Sequence, residues 1–249
     1  QDKNNSNTHF FADLSGELQD QTEYEIKIQN VSNDNYLKIH DIKDYTKIIK
    51  SDSTLKSYVS FDKDINPKTN LRSSTIIYED LSKRDSDRYQ FIFPDFNFTK
   101  EIDIDESYNG QFNFLSSGFQ KIYDTNKYET LINNDFNFNS YDFISSKGLV
   151  TDYSFLLKNY NTYSENSSIY ESKNDHEIFG TFLVKTELPF KKKLENSNNF
   201  LKPVVQARFS PTNGKDISSN NSLILYDNIF SPNRIGRSDM VEKGNSITL

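Results

Sequence analysis

From Glu23 to Gln29 the chain alternates without exception. Glu23, Glu25, Lys27 and Gln29 are polar, and Tyr24, Ile26 and Ile28 between them are apolar. Successive side chains of a strand point to opposite faces, so this segment predicts a strand with one charged and one apolar face. The segment before it repeats the pattern. Phe10, Ala12, Leu14, Gly16 and Leu18 share one parity, Asp13, Ser15, Glu17 and Gln19 share the other, and Phe11 is the exception. The connection follows from parity. A two-residue turn at Asp20-Gln21 would set Leu18 opposite Glu23 and mix the faces. A three-residue loop, Asp20 to Thr22, sets Leu18 opposite Tyr24 and Gly16 opposite Ile26, and predicts a type I turn with a bulge.

The same pattern predicts ten further strands: Tyr36–Ile42, Leu55–Lys63, Leu71–Glu79, Arg88–Phe98, Gly110–Ser116, Leu131–Phe143, Leu149–Lys158, Ile178–Leu188, Val204–Ser210 and Leu223–Asp227. Phe91 and Phe93 share one parity and Phe96 and Phe98 the other, so a bulge or strand break is expected at Pro94-Asp95. Phe112/Phe114 and Phe136/Phe138, each flanked by Asn or Gln, continue the alternation. No repeat of fixed period is present, which argues against propellers and solenoids. Polar stretches at 159–177 and 210–222 are read as long loops, and 66–70 as a short connection.

Composition sharpens the fold class. Mean hydropathy is −0.76, a value typical of disordered or soluble chains. Yet there are 20 Phe and 15 Tyr, and disordered chains are poor in aromatics. Strands with one aromatic face and one polar face resolve the conflict. No apolar run is long enough for a transmembrane helix. A membrane barrel needs only about 9–11 residues per strand, every second one apolar. Several predicted strands exceed the usual 5–6 residues of a soluble sheet. This favours an all-β, antiparallel transmembrane β-barrel segment over a soluble β-sandwich binding module, which stays open as the alternative. In the barrel, Glu23, Glu25, Lys27 and Gln29 face the wet lumen. Tyr24, Ile26 and Ile28 face lipid, since a Lys or Arg turned to lipid near the midplane costs about 2–4 kcal/mol.

Little catalytic chemistry is readable. Net charge is −7, against a nucleic-acid binder, and zero cysteines exclude disulfides and zinc knuckles within this segment. His9, His40 and His176 stand isolated among polar residues, without metal-ligand spacing. Asp103, Asp105 and Glu106 could pair as glycosidase carboxylates or bind Ca²⁺, but a solvated loop near a strand end is the preferred reading. No phosphate loop or nucleophile elbow occurs. The chain is therefore read as non-enzymatic, with no cofactor and no metal. Lys191-Lys192-Lys193 could meet lipid phosphates at a membrane edge or form a plain solvated turn.

Two stretches carry a more specific pattern. Residues 223–249 read LILYDNIFSPNRIGRSDMVEKGNSITL. They resemble the barrel segment of the LPS-assembly protein LptD family in which a strand ends in an acidic residue, followed by "NLFS-x-NR-F", "GYDRVE-x-G" and a new strand. Asp227, Asn228, Phe230, Ser231, Asn233, Arg234, Asp239, Val241, Glu242 and Gly244 fit. Arg237-Ser238-Asp239-Met240 departs from the family's Gly-Tyr-Asp-Arg. Near the start, Val31, Ser32, Asp34, Tyr36, Leu37, Asp41 and Ile42 are similar to the family's "VSDxxYLxxYDI". Pro203 and Gln206 lie in FLKPVVQARFSP, similar to its "PxxQ" strand. The resemblance implies that residues 1–249 are about 12 strands of one larger outer-membrane barrel of about 26 strands, with the first and last strands and the periplasmic jellyroll missing. It also implies lipopolysaccharide as cargo, an LptE-like plug lipoprotein as partner, and an LptA-like periplasmic bridge reached through the absent domain. A porin or receptor barrel is the nearest alternative.

Overall fold

The structure is a computed structural model describing residues 8–40, 49–84, 87–170, 172–194, 197–211, 224–235 and 241–249. Its strands are β1 (His9–Glu17), β2 (Thr22–Val31), β3 (Thr54–Asn66), β4 (Thr69–Asp80), β5 (Tyr89–Ile102), β6 (Gly110–Tyr123), β7 (Tyr128–Ser140), β8 (Phe143–Ile144), β9 (Val150–Glu165), β10 (Asp175–Glu187), β11 (Phe190–Lys193), β12 (Asn198–Leu201), β13 (Val204–Ser210) and β14 (Gly244–Thr248). The fold is all-β. One 12-stranded antiparallel sheet runs in the order β1-β2-β3-β4-β5-β6-β7-β9-β10-β13-β14, with β8 beside β9. The order does not close on itself, and β11 and β12 form a separate two-stranded sheet. Two compact units divide the described residues. The first takes those within 1–99, 116–132 and 161–175, and the second those within 100–115, 133–160 and 176–249.

In the first unit the β1–β2 connection is a three-residue loop of the expected kind, one residue earlier than expected. Gln21 N–H donates to the Leu18 carbonyl (3.0 Å), Leu18 N–H donates to the Thr22 carbonyl (2.9 Å), and Gln21 is left-handed at φ 61°. The third loop residue of this turn needs positive φ. Thr22 is β-branched and resists it, so Gln21 takes the position and Thr22 begins β2. The register therefore sets Gly16 opposite Tyr24 and Leu14 opposite Ile26. Each partner shifts by two residues, and the faces are unchanged. Gln21→Gly is expected to raise the unfolding free energy by about 1 kcal/mol, because glycine adopts this conformation without the steric cost of a Cβ. Urea unfolding of the chain in detergent micelles measures it, and an unchanged midpoint would contradict the assigned turn.

Tyr36–Ile42 is expected as a strand, but its described part, 36–40, is not one. Tyr36–His40 form a short helix, α1, and 41–42 lie outside the described residues. Asn33 starts the turn: its side-chain oxygen accepts from Asn35 N–H (2.9 Å) and its carbonyl from Tyr36 N–H (3.1 Å). Adjacent Tyr36 and Leu37 are both buried, with Val31, Ile49, Leu55 and Leu81. Neighbouring residues bury together on a helix, whereas a strand would turn one of them away. The histidines at this end are not isolated. His9 Nδ1 lies 2.7 Å from the Tyr36 hydroxyl, and the His40 ring lies 4.7 Å from the Tyr36 ring.

Other boundaries move outward. β5 continues through Pro94, so the chain does not break there. β9 runs to Glu165 and β10 starts at Asp175, which converts most of the expected 159–177 loop to strand. Asparagines caused that misreading. Asn159 and Asn161 look like loop residues, but they alternate with buried Tyr160 and Thr162 as a strand requires. Leu223–Asp227 was expected to be a strand. Its described part, from Ile224, is not, because Asn228 folds the backbone back. Leu225 N–H donates to Asn228 Oδ1 (2.8 Å), and Ser231 N–H donates to the Asn228 carbonyl (2.9 Å). Asp105 caps a single 3₁₀ turn at Glu106–Tyr108, the solvated-loop reading of that acidic cluster. Most of 210–222 lies outside the described residues.

Candidate functional site

The polar face of the first unit is built by register. Three rows cross β1 to β4: Asp13-Lys27-Tyr58-Ile76, Ser15-Glu25-Ser60-Ser74 and Glu17-Glu23-Asp62-Arg72. Glu23, Glu25, Lys27 and Gln29 share this face. Glu23 is exposed, Glu25 and Lys27 are half-buried, and Gln29 is buried. Lys27 lies 3.2 Å from Asp13 and 3.9 Å from Glu25. The Tyr58 hydroxyl donates to Glu25, and Lys56 sits over the Tyr58 ring at 4.9 Å. Two polar cavities of about 590 and 320 Å³ share Ser60 and Arg72, so the row of carboxylates opens onto continuous space. In the β1–β2 loop, the Lys63 ammonium hydrogen-bonds Asp20 and pulls its carboxyl down to about 2.

Tyr24, Ile26 and Ile28 share the opposite face, where Ile28 is exposed and Tyr24 and Ile26 are half-buried. The paired rows there are Gly16-Tyr24-Phe61 and Leu14-Ile26-Val59. The Tyr24 ring covers Gly16 so closely that a Cβ on Gly16 would lie 2.7 Å from its hydroxyl. Pairing of β2 with β3 ends at Lys27–Tyr58. Beyond it, side chains replace the ladder. Gln29 N–H donates to Ser57 Oγ (3.0 Å), and Lys56 N–H donates to Gln29 Oε1 (2.8 Å). This is why Gln29 is buried rather than open to solvent.

A charge cluster closes the same unit where β4 meets β5. Arg88 donates to Glu79 (3.1 and 2.8 Å), to Asp34 (3.1 and 2.5 Å) and to the Lys83 carbonyl (3.0 Å). Arg88 and Glu79 are both buried. The Asp34 hydrogen bonds push the guanidinium pKa upward against the opposing effect of burial. Asp34 belongs to the early family-like stretch, so the cluster ties that stretch to the end of the sheet. Arg88 and Glu79 were read from sequence only as strand residues.

In the second unit residues 224–235 and 241–243 fold onto the polar face of β13 and β14. Inward Gln206, Arg208 and Ser210 alternate with outward Val205, Ala207 and Phe209. Arg208 donates to the carbonyls of Pro232 (3.1 Å), Glu242 (2.5 Å) and Gly244 (3.3 Å). Arg234 forks onto the Glu242 carboxylate at 2.7 and 2.5 Å. Ile235 and Val241 are buried. The family-like loop residues Arg234, Glu242 and Gly244 thus converge around Arg208, which comes from the other family-like strand. Asn228 shapes the loop's turn, Asn233 and Phe230 are half-buried, Asp227 is exposed, and Asp239 lies outside the described residues. Sequence reading missed Arg208, although its parity, opposite to Phe209, carried the signal. Gln206 is 1 % exposed, and neither end of its amide has a partner among the described residues. Gln206→Met keeps the volume and removes the unpaired amide. It is expected to raise stability by about 1–2 kcal/mol in urea unfolding, and a loss of stability would show that the amide is satisfied.

The outward face of this unit carries an aromatic row. Phe138 and Tyr153 lie 5.6 Å apart, Tyr153 and Phe182 lie 6.3 Å apart, and Phe182 pairs with Phe209 in register. Phe182 and Phe209 are 42 % and 50 % exposed, whereas inward Arg208 is 2 % exposed. Among the described residues no group of His, Asp or Glu is placed to hold a metal ion. No described helix is long and apolar enough to cross a membrane, which says nothing about strands. No protein-family model matches this chain, and no curated protein matches its sequence.

Proposed function

We propose that this chain is a section of the wall of an outer-membrane β-barrel that passes lipopolysaccharide to the outer leaflet. The observation that carries the membrane reading is the inverted polarity of the strands. Ile28, Phe61, Ile77, Phe182, Val205 and Phe209 are exposed, while Gln29, Ser60, Thr181, Gln206 and Arg208 are buried. A water-soluble sheet buries its apolar face. A lipid-spanning wall does the reverse. Strand length agrees: β3 to β7, β9 and β10 run 12 to 16 residues. Thirteen residues extend roughly 43 Å, or about 30 Å of height at a tilt near 45°, enough for the apolar band of such barrels.

The cargo reading rests on the resemblance to the LptD family; the 223–249 stretch that carries it is clasped to Arg208 of the strand similar to the family's "PxxQ" strand. In this reading the rows from Asp13 to Arg72 face the lumen. An LptE-like plug fills the lumen, and an LptA-like bridge delivers lipid through another domain of the parent protein. The barrel supplies a guided path and no chemistry. The test is photocrosslinking in cells expressing the parent protein, with the probe separately at Lys27 and Ile28. Lipopolysaccharide or plug crosslinks from Lys27, with only membrane lipid from Ile28, are the expected result. Lipid at Ile28 with neither partner at Lys27 would replace the cargo reading by a porin or receptor barrel. No lipid at either position, with the protein soluble without detergent, would overturn the barrel.

A further inference from the structure

The β11–β12 hairpin belongs to neither face of the large sheet. β10 and β13 pair until Glu187 and Val204, and the ladder is interrupted at Pro189 and Pro203, which have no N–H to donate, before pairing resumes in the same register. The last link between the two parts is Leu188 N–H to the Pro203 carbonyl (3.1 Å). Beyond it, Phe190 faces Leu201 and Lys191 faces Phe200. Every residue of both short strands is exposed, including Phe190 (49 %), Phe200 (72 %) and Leu201 (67 %). An isolated two-stranded hairpin is marginal in water, and this one gains no cover from the described chain.

Charge identifies what would cover it. Residues 190–202 carry four lysines against one carboxylate, Glu195, in a chain of net charge −7; Lys202 pairs with Glu187 at 2.8 Å, and Lys191, Lys192 and Lys193 supply the positive charge of the hairpin. Lys191 lies over the Phe200 ring at 5.4 Å, so cation and aromatic are presented together. Lysines beside exposed Phe and Leu suit a lipid surface, where the rings enter the interface and the ammonium groups meet phosphates. An acidic protein partner would leave the apolar half unmatched. Position agrees with this. The hairpin starts just past the paired strand ends at Glu187 of β10 and Val204 of β13, so it lies at the rim of the sheet.

We propose that the β11–β12 hairpin docks on the anionic phospholipid leaflet beside the wall through the face of Phe190, Lys192, Asn199 and Leu201, which keeps the parity of outward Phe182 and Phe209, with the Phe190 and Leu201 side chains in the interface, Lys192 on lipid phosphate, and Lys191 and Lys193 close enough to be drawn to the anionic surface. The position, though not the chemistry, rests on the membrane reading above. The choice of phospholipid follows from topology. The hairpin leaves the opposite end of β13 from the long 211–243 connection, and barrels of this class carry their long connections on the cell surface.

The chain has no cysteine, so single probes are unambiguous. The full chain carrying Asn199→Cys with an environment-sensitive dye would be added to vesicles of phosphatidylcholine alone, and to vesicles in which about a third of the lipid is phosphatidylglycerol. The expected result is a blue shift with the anionic vesicles only, reversed by high salt. Each lysine near an anionic surface strengthens attachment roughly fivefold, so Lys191→Gln/Lys192→Gln/Lys193→Gln should weaken it about a hundredfold. A dye that stays in water with both vesicles, or a shift the triple variant keeps, overturns the proposal. A second dye at Phe182→Cys reports the wall separately. Lipid contact there with a wet hairpin sinks only the docking, and a wet Phe182 with a charge-dependent hairpin shift sinks only the wall.

Discussion

Arg88→Ala is expected to lower the unfolding free energy by about 3–5 kcal/mol, the largest single effect in the first unit. The guanidinium is the donor for two carboxylates and a carbonyl at once. Glu79 is buried, so the variant strands a charge away from water. Tyr89 still donates to Glu79 (2.9 Å), which is too little to balance it. Urea unfolding in detergent micelles measures the loss. Adding Glu79→Gln to Arg88→Ala removes the stranded charge and should restore part of it. A double variant no more stable than the single would show that Arg88 acts by packing alone. Loss of the Asp34 contact should also loosen α1, visible as faster amide exchange at Leu37.

Arg208→Ala is the corresponding change in the second unit. Three backbone carbonyls lose their donor, and a buried cavity opens under the 224–235 segment. The expected cost is about 3 kcal/mol or more. The more specific readout is local. Limited proteolysis should cut the loop around Pro232 in the variant while the strands stay protected. Arg208→Lys is expected to retain little of the clasp, because one ammonium cannot reach carbonyls spread across the planar fork of a guanidinium. If Arg208→Lys behaved like the parent chain, the clasp would be a generic charge effect and the assigned geometry would be wrong.

Local rules made much of the sheet legible. Alternation in Glu23–Gln29 separated its polar from its apolar residues, and the ladder holds the two sets on opposite faces, because side-chain direction in a strand depends on parity alone. The same rule survived a two-residue register error at the first turn, since an even shift leaves both faces unchanged. The misreadings had local causes as well. The Asn33–Asn35 turn produced a helix where alternation suggested a strand, and Asn159 and Asn161 disguised a strand as a loop.

What the amino-acid order determined, then, is that the chain is all-β, with one polar and one apolar face on most strands. Tertiary structure alone decided which polar residues are buried and what they meet. Arg88 finds Asp34 fifty-four positions away, and Arg208 finds the Glu242 and Gly244 carbonyls more than thirty positions on. Parity is written into each strand. A guanidinium's partners depend on which connection folds back over it, and no local pattern encodes that.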